Sequence, residues 1–174
     1  MDILRAIQTF DGRNVQPLTT WCDRREPSTE DVQELVVVVC EAEGRNRIAA
    51  TWVLKRLTEK GLGLTRSQTA KLIKSWPEWE EWQANLHLLQ MFDQLSIPET
   101  QMVRAWSQCC SLVTHENKLV RAWALHGMSH VGRVSPKHFD EALERSRDAL
   151  SDDSAAVRVR ARHAVRDLER CLPR

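Results

Sequence analysis

The chain has 174 residues, 42% of them hydrophobic and 28% charged, with a formal net charge of +1. That is enough to bury a core within one domain, and the near-neutral balance excludes a chain drawn as a whole onto nucleic acid or an anionic membrane. Tyr is absent and Gly and Pro number six each, a composition suited to helices rather than to turn-rich sheet.

In chain order, residues 1–27 are expected to form one or two short helices with Ile3, Ile7, Phe10, Leu18 and Trp21 turned inward. A helix over Thr29–Glu41 follows, with Val32, Leu35, Val36 and Val39 on one stripe. The next helix is anchored on Ala50, Leu54 and Leu57, and Gly61-Leu62-Gly63 breaks the pattern. A third apolar segment covers about residues 66–76, with Ala70, Leu72 and Ile73. Then Trp76, Trp79 and Trp82 fall three apart around Pro77. Pro suits the first turn of a helix, and Glu78, Glu80 and Glu81 would complement its positive end. Ala84, Leu88 and Met91 carry that helix onward. Helices over about 99–113 and 136–150 follow Pro98 and start at Pro136, respectively. Each leads through a polar turn, 114–117 or 151–154, into a second helix. The last of these recurs as Val157, Ala161, Ala164, Val165 and Leu168 and should stop at Leu172-Pro173.

Two of these stretches are copies. Val120-Arg121-x-x-Ala124 returns 37 residues later as Val157-Arg158-x-x-Ala161. Upstream, Met102, Ala105, Trp106, Leu112 and Val113 align with Phe139, Ala142, Leu143, Ala149 and Leu150; downstream, Met128 and Val131 align with Val165 and Leu168. Two earlier units keep the register of the second helix through an alanine column of Ala50, Ala84, Ala124 and Ala161. A match in apolar register over units of this length predicts tandem helical hairpins stacked on one another.

The turn followed by Val-Arg-x-x-Ala resembles HEAT-type repeats, close to armadillo repeats. Asp152, Val157, Arg158, Ala161, Ala164, Val165 and Leu168 carry the resemblance in the last unit, and Val120, Arg121, Ala124, Met128 and Val131 in the one before. It implies an all-α fold: a right-handed α-solenoid of about four HEAT-like hairpins over residues 28–61, 62–98, 99–135 and 136–172, with residues 1–27 as a divergent N-terminal cap. In that family a turn acid and the helix Arg often form a stacked ladder, and Asp152 with Arg158 has the matching separation. His115 stands at the acid's place one unit earlier, and Glu81 replaces the Arg in the second unit, so the ladder should be interrupted there.

The charge is uneven: residues 1–99 carry −3 and residues 100–174 carry +4. Arg158, Arg162, Arg166 and Arg170 recur every fourth residue and make one basic stripe on the last helix, while Arg121 and Arg133 occupy the columns of Arg158 and Arg170 one unit earlier. This suits an acidic partner or a phosphate backbone; the plainer alternative is a solvated face in which Arg121 and Arg158 belong to the ladder. A second column, two past each alanine, reads Trp52, Leu86, His126 and His163. It is either a stacking strip beside the basic one or the edge of the inter-helix core. Of the Trp cluster, Trp79 and Trp82 are candidate contact residues against a core-filling alternative. His126 and His130 have metal-compatible spacing, but no third ligand is evident. No phosphate loop, nucleophile elbow or paired-acid motif occurs, and no catalytic residue, cofactor or metal is expected.

Five cysteines without regular spacing, two of them adjacent, read as reduced thiols of a cytoplasmic protein. There is no signal pattern at the N-terminus, and the longest apolar run, Leu35 to Cys40, is too short for a bilayer, so no membrane is expected. The function read from these features is a non-catalytic protein-interaction scaffold that presents its second-helix face, with Arg121, Arg158, Arg162, Arg166, His126 and His163, to an acidic protein. The alternative is a nucleic-acid-binding protein. One group of small HEAT-like proteins removes alkylated bases from DNA as a glycosylase. This chain is similar in architecture, Arg distribution and Trp content, but no motif carries their catalytic positions over.

Overall fold

The computed structural model describes residues 3–24 and 26–172. Every regular element among them is helical: α1 (Ile3–Gln8), α2 (Gln16–Arg24), α3 (Thr29–Glu41), α4 (Gly44–Glu59), α5 (Arg66–Ser75), α6 (Trp82–Gln90), α7 (Glu99–Leu112), α8 (Lys118–Val134), α9 (Pro136–Asp148) and α10 (Ala155–Glu169). The chain divides into two compact units at the Ile97–Pro98 junction, with α1–α6 in the first and α7–α10 in the second. The expected stop at Pro173 lies outside the described residues.

In the first unit, local chemistry sets where the helices begin. Ser28 and Asp31 cap α3 reciprocally: Ser28 Oγ accepts from the Asp31 N–H at 3.1 Å, and the Asp31 carboxylate accepts from the Ser28 N–H at 2.8 Å. Thr65 and Gln68 do the same for α5. The α3 stripe of Val32, Leu35, Val36 and Val39 is buried and packs on α4 and α5, while α4 also packs on α6. The short α1 and α2 lie against each other and against α4, and bury Ile3, Ile7, Phe10, Leu18 and Trp21 as expected. Lys60, just past α4, ties down the end of α2 by donating to the Cys22 carbonyl at 2.9 Å and to the Asp23 carboxylate.

The turn between α5 and α6 departs from the expectation. Pro77 does not open α6. It lies in a 3-10 turn, Trp76–Glu78, that terminates α5, and α6 begins only at Trp82. Pro cannot donate the hydrogen bond that would continue α5, and the residues after it run extended at Trp79 and Glu81. The second helix of this unit has therefore lost its first turn. Ala84 is its third residue, whereas Ala50, Ala124 and Ala161 are each the seventh residue of theirs.

That shortening explains Glu81. It stands at the N-cap of α6, where a turn acid would stand in a longer repeat. Its carboxylate accepts from Arg47 Nη1 at 2.8 Å and from the N–H of Gly44, the first residue of α4. The pair is nearly buried, with side-chain exposures of 6% and 12%. Arg47 Nε also donates to the Val39 carbonyl at 3.3 Å. The expected interruption of the ladder at Glu81 is thus corrected: Glu81 supplies the acid to the Arg of the unit before it. Gly44 has φ +56°, a conformation that a side chain disfavours, so Gly suits the position where the backbone turns toward this carboxylate.

In the second unit α8 is central and packs against α7, α9 and α10, while α10 also packs on α9. Asn117 caps α8, its side-chain oxygen accepting from the Leu119 N–H at 2.9 Å. Trp106 of α7 stacks on His138 of α9 with centroids 4.5 Å apart. Gly132 allows α8 and α9 to approach closely, since a Cβ there would meet the Ala142 Cβ at 2.8 Å. A further cluster joins Ala122 and Leu125 of α8 to Val157 and Ala161 of α10. All four residues of the alanine column are fully buried, at 0% exposure, which fits the shared register of α4, α6, α8 and α10.

Glu81→Ala would leave the Arg47 guanidinium buried without its counter-charge, and is expected to lower unfolding free energy by about 3 kcal/mol or more, read by denaturant titration. His87 of α6 lies 3.0 Å from Thr51 Oγ1 of α4, and burial, assisted by the Lys55 charge, lowers its pKa to about 4 from 6.5. As pH falls the unfolded chain takes up this proton first. Stability should therefore decline between about pH 6.5 and pH 4, by roughly 2 kcal/mol, and His87→Leu should remove that part of the slope.

Candidate functional site

Each second helix of the C-terminal unit opens with the same arginine device. Arg121 Nη1 donates to the carbonyls of His115 and Glu116 at 2.9 and 3.0 Å. Arg158 Nη1 donates to the carbonyls of Asp152 and Asp153 at 2.7 and 2.9 Å. In both, the guanidinium folds back over its own turn. Within that turn His115 Nδ1 accepts from the Asn117 N–H, as the Asp152 carboxylate accepts from the Ser154 N–H, so His115 occupies the acid's role. Arg121 Nη2 then reaches Asp152 Oδ1 of the next turn at 3.5 Å. Both arginines are half-buried and engaged in structure.

The other predicted residues separate. Arg162 and His163 are exposed. Arg166 is exposed too, with Asp167 at 3.6 Å, and Arg170 also lies near Asp167, at 3.7 Å, so the far end of the stripe is partly neutralised. His126 is half-buried and sits edge-on to Trp123 at 5.3 Å. Trp52 and Leu86 are half-buried.

The Trp cluster divides sharply. Trp76 is fully buried, its indole N–H donating to Asn85 Oδ1 at 2.7 Å and its ring against Phe92. Trp79 is corrected as a contact residue: it is 4% exposed, and the Arg47 guanidinium lies 5.7 Å from its ring centre. The extended backbone after Pro77 turns its indole inward. Trp82 remains at the surface, 37% exposed.

Two residues that the basic stripe did not single out hold the centre of this face. The Arg160 guanidinium stacks over the Trp123 ring at 3.7 Å, a distance at which the attraction of cation for ring is strong. They are related by the same 37-residue offset as Arg121 and Arg158. The offset also relates Leu119 to Ala156 and His126 to His163. Leu119, Trp123, His126 and His130 follow one side of α8, and Ala156, Arg160 and His163 follow the matching side of α10. Extending the repeat alignment outward from its buried columns would have found them.

Between these stripes lies an open groove of about 380 Å³, lined by Leu119, Ala122, Trp123, Ala155, Ala156, Val159 and Arg160. Three alanines keep it open, and Leu119 and Val159 flank it, 42% and 44% exposed. Its electrostatics are one-sided. α8 carries Lys118, Arg121 and Arg133 and no acid; α10 carries Arg158, Arg160, Arg162 and Arg166 before its first acid, Asp167. Acids enter only at the turns, as Glu116, Asp152 and Asp153.

Catalytic chemistry has little to work with on this face. Burial pushes the thiols of Cys22 up to about 11, Cys109 well up, and Cys40 and Cys110 up as well, which favours the unreactive protonated form. Among the described residues no three His, Cys, Asp or Glu side chains converge as metal ligands, and no helix is long and apolar enough to cross a membrane. The chain matches no family model, no curated protein and no solved structure.

The contrast between the two tryptophans is measurable. Trp79→Ala is expected to cost about 3–5 kcal/mol of stability through the void it leaves, and Trp82→Ala less than about 1 kcal/mol. Thermal or denaturant unfolding of the two variants reads the difference.

Proposed function

We propose that this protein is a non-catalytic interaction module: a right-handed solenoid of about four HEAT-like hairpins that presents the second-helix face of its C-terminal unit to an acidic protein. The supporting observation is the charge of that face. From Lys118 to Val134, and again from Ala155 to Arg166, cations occur without a single Asp or Glu. A surface under no selection for charge usually mixes both signs, whereas a one-signed face steers and orients an oppositely charged partner.

The register of the two helices supports the repeat reading. Arg121 and Arg158 close their own turns in the same way, and the buried alanines recur in the same column. Five free thiols, with the four cited shifts all toward the protonated form, favour a reducing, cytoplasmic setting. A nucleic-acid ligand is less well served. The Trp123 face, the natural stacking platform, is already covered by Arg160.

Arg162 and Arg166 are the residues with which to test this, because neither belongs to the turn-closing device. Arg162→Glu with Arg166→Glu should leave the fold intact. A partner captured with the native chain, purified and titrated should prove acidic, bind roughly tenfold or more weakly to the double variant, and weaken with added salt. Unchanged affinity and salt dependence would refute the basic face as the contact surface. Release of alkylated bases from damaged duplex DNA would refute the non-enzymatic reading.

A further inference from the structure

We propose that the groove between Trp123 and Val159 seats the apolar side chains of an acidic amphipathic segment of the partner, with Arg160 meeting its carboxylates. This rests on the interaction-module reading and specifies the occupant. Two properties of the same spot have to be matched together. The floor and flanks are apolar, with Ala155 and Ala156 below and Leu119 and Val159 at the sides. The surrounding charge is entirely basic on both helices as far as Arg166. An apolar ligand alone would leave the cations unmatched. A nucleic-acid backbone would satisfy the cations but would place Leu119 and Val159 against sugar and phosphate. A second copy of this same face would bring cation against cation. A segment with apolar residues on one side and Asp or Glu on the other meets both demands, as amphipathic helices do when they lie in grooves.

The stack of Arg160 on Trp123 is the anchor. The planar guanidinium gives its face to the indole and keeps N–H donors at its edge for a carboxylate. Held there, it needs little further ordering when a partner arrives, which lowers the entropic cost of the contact. Trp and Arg are also the side chains on which binding energy most often concentrates. Val159 and Arg162 lie three residues apart on α10, so the apolar flank runs directly into the exposed cations Arg162 and Arg166.

The test uses the full chain, isotope-labelled, and defined probes: a synthetic acidic amphipathic peptide of about four helical turns, the same peptide with its apolar residues replaced by Ala, and a short DNA duplex. The expected result is that the first peptide binds and shifts the Trp123 indole N–H with the Leu119 and Val159 amides. Its affinity should fall roughly tenfold in Val159→Arg and in Arg160→Ala, and by as much when its apolar residues are removed. Val159→Arg is decisive because it adds positive charge: purely electrostatic binding would tighten, whereas binding through the groove weakens. Equal or tighter binding to Val159→Arg, or equal binding of the Ala-substituted peptide, overturns the groove. If that binding still collapses in the Arg162→Glu/Arg166→Glu variant, the basic-face reading survives without it. Binding of the duplex and of neither peptide overturns both. Self-association of the native chain that Val159→Arg abolishes would make a second copy the occupant and overturn the proposal.

Discussion

An arginine near the start of a second helix, folded back to hold the turn before it and reaching toward the next repeat's acid, is the contact on which much of this structure depends. A helix N-terminus presents unpaired N–H groups, and the turn leading into it presents unpaired carbonyls. Arg121 satisfies two such carbonyls with one nitrogen and has another left for Asp152. Arg158 satisfies the equivalent pair. In the N-terminal unit Arg47 does related work with one carbonyl, that of Val39, and the Glu81 carboxylate. Because the guanidinium is planar and carries several donors, one side chain can fix a turn and link it to its neighbour. A lysine could not hold that geometry.

This contact divides the cations of the C-terminal unit into two populations. Arg121 and Arg158 are spent on structure, so the continuous stripe that helical spacing suggests is shorter in practice. What remains at the surface is Arg162 and Arg166, with Arg160 set between Trp123 and solvent. The surviving patch differs in kind from a plain basic stripe. It is a stack of cation on indole beside an apolar groove, with loose cations on one side. Such a surface selects for shape and apolar content as well as charge, and a run of phosphates offers only the last.

Much of the fold was legible because the signals were local and periodic. The bounds of α3 followed from Ser28 and Asp31 with the Val32–Val39 stripe, and those of α7 to α10 from Pro98, Pro136 and the 37-residue copy. Where two local rules competed, the wrong one was chosen. Pro77 favours the first turn of a helix but equally ends one, and the outcome was decided by tertiary packing: Trp76 had to reach Asn85 and Phe92. Glu81 looked like a lost arginine because the alignment assumed helices of equal length. Once α6 is seen to start a turn late, the same residue is the acid that Arg47 requires.

The site was less legible than the fold, for a physical reason. Charge periodicity along one helix reports which residues share a side, and that found Arg162 and Arg166 correctly. Contacts between neighbouring helices follow the repeat offset instead, and Trp123 with Arg160 is such a contact. The offset that aligned buried alanines applies equally to exposed positions, because helices packed in register carry their surface columns along with their core columns. In a chain of this kind the functional surface is a lattice, with one axis along the helix and the other along the repeat. Its binding properties reside in the pairs formed along the second axis.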